Sequence, residues 1–237
     1  MSDVAAVPST VEKIALAEQL VADSIATATG KLVLTNSFQA EDMVLLHMVQ
    51  RHLADIPVVF LDTGYHFAEV YEYRDRMASE WRMNLTSLQP EITVAEQESQ
   101  FGILNQSDPG KCCGIRKVKP LFAALEAYDV WFTGLRREQA KSRAALKEID
   151  DFTLPSGRSI RKLSPLTEWN ARDVWTYAME HDVPLLSLYD KGYTSIGCEP
   201  CTTLPLDPND PRSGRWGGQK LECGIHISPA SDASESH

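Results

Sequence analysis

Nothing in this chain runs apolar for the ~20 residues that a membrane-spanning helix needs. The best stretch, Met43 to Val49, is interrupted by His47. The first residues have neither a basic n-region nor an apolar h-region, so no secretory leader is expected. Without secretion, the Asn-X-Ser/Thr matches at Asn84 and Asn105 have no glycan meaning. No internal repeat is present. Positive charge is scarce, with 23 Lys and Arg against 33 Asp and Glu. The net charge of −10 argues against a nucleic-acid partner, because phosphate backbones select positive surfaces. There are only five cysteines, an odd number with close spacings. That excludes a disulfide scaffold and points to a reducing compartment, with the cytoplasm as the expected location.

What is present suits one soluble globular domain: 237 residues, 43% hydrophobic and 24% charged. The charge is unevenly spread. From Lys111 to Lys162 there are 12 basic and 6 acidic residues, whereas the remainder carries 11 basic and 27 acidic. A basic pocket within an acidic protein suits a small anion. The cysteines form an adjacent pair, Cys112-Cys113, a Cys198-Glu-Pro-Cys201 pair, and the lone Cys223. Four thiols in two pairs, beside Gly110, Lys111, Gly114, Gly197 and Pro200, suit a metal or iron–sulfur site. Spacing does not separate zinc from iron–sulfur, although zinc ribbons favour Cys-X2-4-Cys over adjacent cysteines. Cys223 lies near Arg212, Arg215, Lys220 and His226, cations of the kind that keep a thiolate available, and is the candidate nucleophile.

Ser9 and Glu12 have capping-box spacing before an amphipathic helix with a stop at Gly30. Strands are expected at Lys31–Thr35, Pro57–Leu61, Leu85–Leu88 and Asp129–Thr133, and helices at Met43–Leu53, Phe67–Trp81 and Asn170–Glu180. The alternation predicts an α/β fold with a mostly parallel twisted sheet and helices on both faces. From Gly192 to Gly218 the chain reads as irregular, and 228–237 as a disordered polar tail. Three polar segments fall at carboxyl ends of strands, where such sheets gather ligands: Ser37–Asp42, Asp62–His66 and Gly134–Arg137. Any one of them could be an ordinary set of helix caps; together they favour a nucleotide. Asp207-Pro-Asn-Asp-Pro is not a calcium loop, since Gly218 stands where the loop's closing Glu belongs.

Seven motifs in order then carry a resemblance from about Thr35 to His226. They are Ser-Phe-Gln-Ala-Glu-Asp (37–42), Leu-Asp-Thr-Gly-Tyr-His-Phe (61–67) and Lys-Cys-Cys-Gly-Ile-Arg-Lys-Val (111–118). Thr-Gly-Leu-Arg-Arg-Glu-Gln (133–139), Gly-Cys-Glu-Pro-Cys-Thr (197–202), Arg-Ser-Gly-Arg-Trp (212–216) and Glu-Cys-Gly-Ile-His (222–226) follow. The chain resembles the assimilatory sulfonucleotide (PAPS/APS) reductases, and within them the adenylyl-sulfate (APS) reductase branch. The resemblance implies an adenine nucleotide alpha hydrolase-like fold that occupies 1–227 as one domain with a mobile catalytic segment from about 205. It implies a thioredoxin-dependent oxidoreductase of sulfate assimilation and cysteine biosynthesis that converts APS to sulfite and AMP. By carry-over, Cys112, Cys113, Cys198 and Cys201 hold a [4Fe–4S] cluster and Cys223 is the nucleophile. Lys117, Arg212, Arg215 and His226 hold the phosphosulfate. Ser37, Phe38, Gln39 and Glu41, the Leu61-Asp62-Thr63 segment, and Arg136 with Arg137 form the nucleotide-binding edge. Where some members have a longer tryptophan-rich stretch, this chain has Trp216-Gly-Gly-Gln.

Three rival functions stand beside this one. Reduction of 3′-phosphoadenylyl sulfate (PAPS), alone or with APS, is the nearest, although members restricted to PAPS generally lack the paired cysteines. An ATP-pyrophosphatase-type enzyme would need the glycines of a Ser-Gly-Gly-X-Asp-Ser loop, which 37–42 lacks. A non-enzymatic iron–sulfur sensor would have no use for Cys223. The partner set is thus a small nucleotide, a thioredoxin or glutaredoxin-like dithiol donor, and a homo-oligomer as an open option.

Overall fold

The computed structural model describes residues 8–218, 222 and 224–226. Cys223 and the tail 228–237 therefore lie outside the described residues. Helix α1 (Thr10–Thr27) opens on the expected capping box, with Ser9 and Glu12 satisfying each other's backbone N–H groups. It is followed by β1 (Leu32–Thr35), α2 (Ala40–Gln50), β2 (Pro57–Leu61), α3 (Ala68–Glu80) and β3 (Asn84–Leu88). Three short helices, α4 (Val94–Phe101), α5 (Leu104–Ser107) and α6 (Pro109–Cys113), lead through a π-helical turn at Gly114–Val118 into α7 (Lys119–Leu125). Then come β4 (Val130–Phe132), β5 (Ile149–Thr153), β6 (Ser159–Leu163) and α8 (Ala171–Glu180), followed by irregular chain with short 3-10 turns. Asn170 caps α8, its side chain accepting from Asp173 N–H at 3.0 Å.

The six strands are ordered β3-β2-β1-β4-β6-β5. All neighbours are parallel except the β5–β6 hairpin at one edge. Because side chains alternate along a strand, the central strands feed two cores. Leu34, Val58, Phe60 and Phe132 pack on the α1, α2, α3 and α8 face. Val33, Val59 and Trp131 pack with Leu121, Phe122 and Leu125 of α7 on the other. The strand order reverses between β1 and β4, so the loops leaving their carboxyl ends diverge and open a crevice.

Two expectations shift. Helix α2 starts at Ala40, three residues earlier than its apolar run implied, because Asp42 captures Ser37 at its first turn. The β5–β6 hairpin is absent from the sequence reading. Asp150 and Asp151 face water on an edge strand, so no apolar alternation announces it.

Candidate active site

A cleft of about 630 Å³ opens at that crevice, within the size range of small-molecule sites. Its floor is the β1–α2 loop. Ser37 donates to Asp42 Oδ2 through both its N–H (2.7 Å) and its hydroxyl (2.5 Å). Phe38 adopts a φ of 62°, and its N–H donates to Asn36 Oδ1 at 2.6 Å. The unusual backbone is stabilised by burial of the ring, edge-on to Phe60 and Tyr73. Gln39 accepts from Ile196 N–H at 2.9 Å, and Tyr189 OH accepts from Ala40 N–H at 3.0 Å, so the stretch from Tyr189 to Ile196 is tied onto the helix start.

Opposite lies the end of β4. Gly134 is obligatory there, since a Cβ would sit 2.4 Å from Asp42 Oδ1. Burial pushes the Asp42 carboxyl up to about 6 in spite of its hydrogen bonds from Ser37 and Gly134. Arg136 is buried and forked onto Glu41 (2.7 Å from Nη2) with Glu138 at 2.9 Å, so its charge is matched inside the cleft wall. His66 Nε2 donates to the Leu61 carbonyl at 2.8 Å. Burial, with Lys117 adding to it, holds this imidazole down to about 4.

The third wall is cationic: Lys117, Arg143, Arg212 and Arg215 line the cleft together with His226. Arg215 is buried, with its guanidinium 4.5 Å over the Trp216 ring and Nη1 donating to Ser195 at 3.4 Å. Arg143 forks onto Glu222 at 2.8 and 2.9 Å, and Arg212 is 3.6 Å from the same carboxylate. Burial would raise Glu222, but Arg143 and Arg212 overcome it and hold the carboxyl below its ordinary range. The His226 imidazole stacks on Trp131 at 5.5 Å. Its burial, beside Lys162, Arg143 and Arg212, keeps it neutral.

Behind Lys117, Arg215 and Trp216, which line both spaces, is a second, smaller cavity. All four paired cysteines face it, together with Tyr65 and Arg116. Cys112 and Cys113 end α6, where the π-helical turn carries the chain on to Lys117, and Cys198 precedes and Cys201 ends the 3-10 turn at Glu199–Cys201. The four are buried and none forms a disulfide. Burial, with Cys198 next, pushes the Cys201 thiol up to about 11. Thr63 Oγ1 lies 3.3 Å from Cys198 Sγ, and Trp216 packs on Cys198 and Cys201. Among the described residues no group of three or more His, Cys, Asp or Glu is arranged to hold a single metal ion.

The phosphoadenosine phosphosulfate reductase domain matches residues 31–204. The chain belongs to the phosphoadenosine phosphosulfate reductase domain family. Family relatives include the adenosine 5′-phosphosulfate reductase of Geobacillus thermodenitrificans, 43% identical over 83% of this chain and 84% of that protein. The phosphoadenosine 5′-phosphosulfate reductase of Gloeobacter violaceus is 39% identical over 88% of each. Among solved structures, phosphoadenylyl-sulfate reductase from Candida auris superposes with a TM-score of 0.67 at 25% identity, covering 81% of this chain and 96% of that one. The fold is adenine nucleotide alpha hydrolase-like, as the sequence implied.

Of the expected site residues, this family member brings Ser37, Gln39, Glu41, Leu61, Lys117, Arg136, Arg212, Arg215 and His226 to one cleft. Phe38, Asp62, Thr63 and Arg137 are not among its lining residues. Phe38 is core, and Thr63 is buried against Cys198. Burial alone would raise Asp62, but hydrogen bonds from Tyr71, Gly64 and Gln89 keep its carboxyl low. Arg137 turns outward to Glu168 and donates to the Leu146 carbonyl at 2.7 Å. Arg143, Glu222 and Lys162 escaped the sequence reading as site residues. The local basic surplus signalled that cations were needed without saying which of twelve would converge.

Proposed function

We propose that the protein reduces adenosine 5′-phosphosulfate to sulfite and AMP in sulfate assimilation leading to cysteine, with thioredoxin or a similar dithiol as donor. The observation that supports this best is the shared wall. Lys117 and Arg215 border both a nucleotide-sized cleft at the switch point and a cavity faced by four thiols. The Ser37, Gln39, Glu41, Leu61 and Arg136 edge receives the nucleotide, and the buried Phe38 and Thr63 support that edge from behind. The phosphosulfate lies toward Lys117, Arg212, Arg215 and His226.

The sulfate sulfur is electrophilic but ringed by anionic oxygens that repel a thiolate. The cationic wall neutralises those oxygens and the charge that moves onto the departing phosphate. Losing one such donor typically costs ~10²–10³ in rate. Cys223 Sγ⁻ attacks sulfur, the S–O bond to phosphate breaks, and AMP leaves with that electron pair. The product is an S-sulfocysteine. A donor thiolate then attacks Cys223 Sγ, sulfite departs with the S–S electrons, and the donor's second thiol resolves the mixed disulfide. The donor dithiol is oxidised by two electrons as sulfur is reduced by two.

Cys112, Cys113, Cys198 and Cys201 would hold a [4Fe–4S] cluster. Four undisulfided thiols from two chain segments, with Arg116, Lys117 and Arg215 nearby, fit the thiolate ligation and negative charge of such a group. When bound, it would tie the two cysteine segments together and adjust the field at Lys117. The paired cysteines also favour APS over PAPS. The deciding experiment is incubation with APS without reductant, followed by mass spectrometry. A gain of about 80 Da (one SO3) on Cys223 is expected. No gain with APS, or a gain with PAPS only, would overturn the assignment. A Cys223→Ala variant that retained turnover would remove the nucleophile.

A further inference from the structure

Lys162 is an amine buried where a parallel strand would ordinarily carry an apolar residue; only 5% of it is exposed. Its strand register pairs it with Trp131 of β4, so the two side chains share a face. The ammonium lies 5.1 Å from the Trp131 ring centre and 5.2 Å from that of Phe152. Such cation–π contacts are worth ~0.5–2 kcal/mol each, less than burying an unpaired ammonium costs. The ammonium also lies 3.4 Å from the backbone carbonyl of His226 and donates to it. The His226 ring stacks on the same Trp131 at 5.5 Å with an interplanar angle of 20°. Ile225 joins the same apolar cluster, and Gly224, at φ 90°, turns the chain beside Val118. The platform thus grips one residue by its backbone and its ring, and that residue lies three positions beyond Cys223.

We propose that Lys162 is a positioning residue for the reaction: it holds the His226 carbonyl while Trp131 holds the ring, which seats this end of the catalytic segment on the cleft. Glu222, on the other side of Cys223, is gripped independently by Arg143. The groups facing Lys162 are Arg143, Asp150 of β5 and Glu222, and those facing His226 are Lys162, Arg143 and Arg212. Burial, helped by Arg143, pulls the Lys162 amine down to about 8, and Lys162 in turn helps keep the imidazole neutral. The role rests on the reading of Cys223 as nucleophile, but its effect on His226 needs no turnover.

The test compares full-length wild type with Lys162→Met and Lys162→Arg by three measurements. They are the His226 imidazole titration by NMR (assigned through His226→Gln), the AMP dissociation constant, and the single-turnover rate of mass gain on Cys223. Lys162→Met should raise the pH at which His226 titrates, since one of the cations that oppose its protonation is gone. It should also slow mass gain by about 10–100-fold, while AMP affinity stays within about threefold. Lys162→Arg should restore most of the rate. An unmoved His226 titration together with a rate within about twofold of wild type would overturn the proposal. So would a rate loss fully matched by lost AMP affinity. If Lys162→Met does not fold, Trp131→Phe decides by the same measurements: the rate must fall at constant AMP affinity, and an unchanged rate overturns the proposal. A wild type that never gains the sulfonate would sink the proposed function instead, and the His226 titration would still decide for Lys162.

Discussion

Gly197→Ala probes the cationic wall without touching a cation. A Cβ at this position would lie 2.0 Å from Arg215 Nη2, 2.6 Å from Cζ and 2.9 Å from Nη1. These atoms form the end of a long side chain, so the guanidinium must move rather than the backbone. Strain of about 1–3 kcal/mol is expected from such overpacking. The larger effect is functional. Displacement lifts Arg215 off Trp216 and away from the cleft, and removes one charge-assisted contact to a substrate anion. That is worth about 1.5–3 kcal/mol, or roughly 10–150-fold in kcat/KM for APS. Sulfite release measured beside urea unfolding separates the two effects. The protein should remain folded at assay temperature with kcat/KM lowered in that range. A variant within about threefold of wild type would show that Arg215 contributes nothing through this position, and would refute its place in the wall.

Other expectations follow from the same geometry. Asp42 is raised from 3.8 to about 6, so its contribution is fully present below about 3.8 and is lost as pH rises through about 6. Relative to Asp42→Asn, wild type should therefore lose about 2 kcal/mol of unfolding free energy between pH 4 and pH 7 in paired urea melts; parallel curves would refute the buried carboxylate. Lys13→Met breaks a buried pair with Asp173, in which Nζ and Oδ2 are 2.8 Å apart, and leaves the carboxylate its hydrogen bonds from Thr10 and the Asn170 N–H. A loss of about 1.5–3 kcal/mol in stability is expected with activity per folded molecule unchanged, and a loss below about 0.5 kcal/mol would contradict the burial. Cys198→Ser should lower iron content after anaerobic purification, read by metal analysis and visible absorbance. Wild type that is itself iron-free would remove the cluster, and a Cys113→Ser variant fully active without iron would remove its role.

Local rules explain why much of this protein could be read in advance. Ser9 and Asn170 cap their helices because a side-chain oxygen three residues from a free N–H satisfies it wherever it occurs. Strands β1, β2 and β4 are short apolar runs because both faces of the sheet are covered at its centre, and their order along the chain already put three polar loops at carboxyl ends. Motifs near the cysteines were equally legible, since thiols placed beside glycines and cations are poor core residues.

Sequence alone thus determined the α/β alternation, the family and part of the candidate site's chemical inventory. Only the tertiary structure decided which members of that inventory meet. Arg136 and Arg137 are neighbours, yet the extended backbone at Arg136 sends one to Glu41 inside the cleft and the other outward to Glu168. Phe38, within the nucleotide motif, turns into the core through a left-handed backbone. Arg143, Lys162 and Glu222 are far apart in the chain and come together around His226 through long-range packing. Charge composition records how many cations exist, whereas their convergence depends on strand order and side-chain direction, which are properties of the folded chain as a whole.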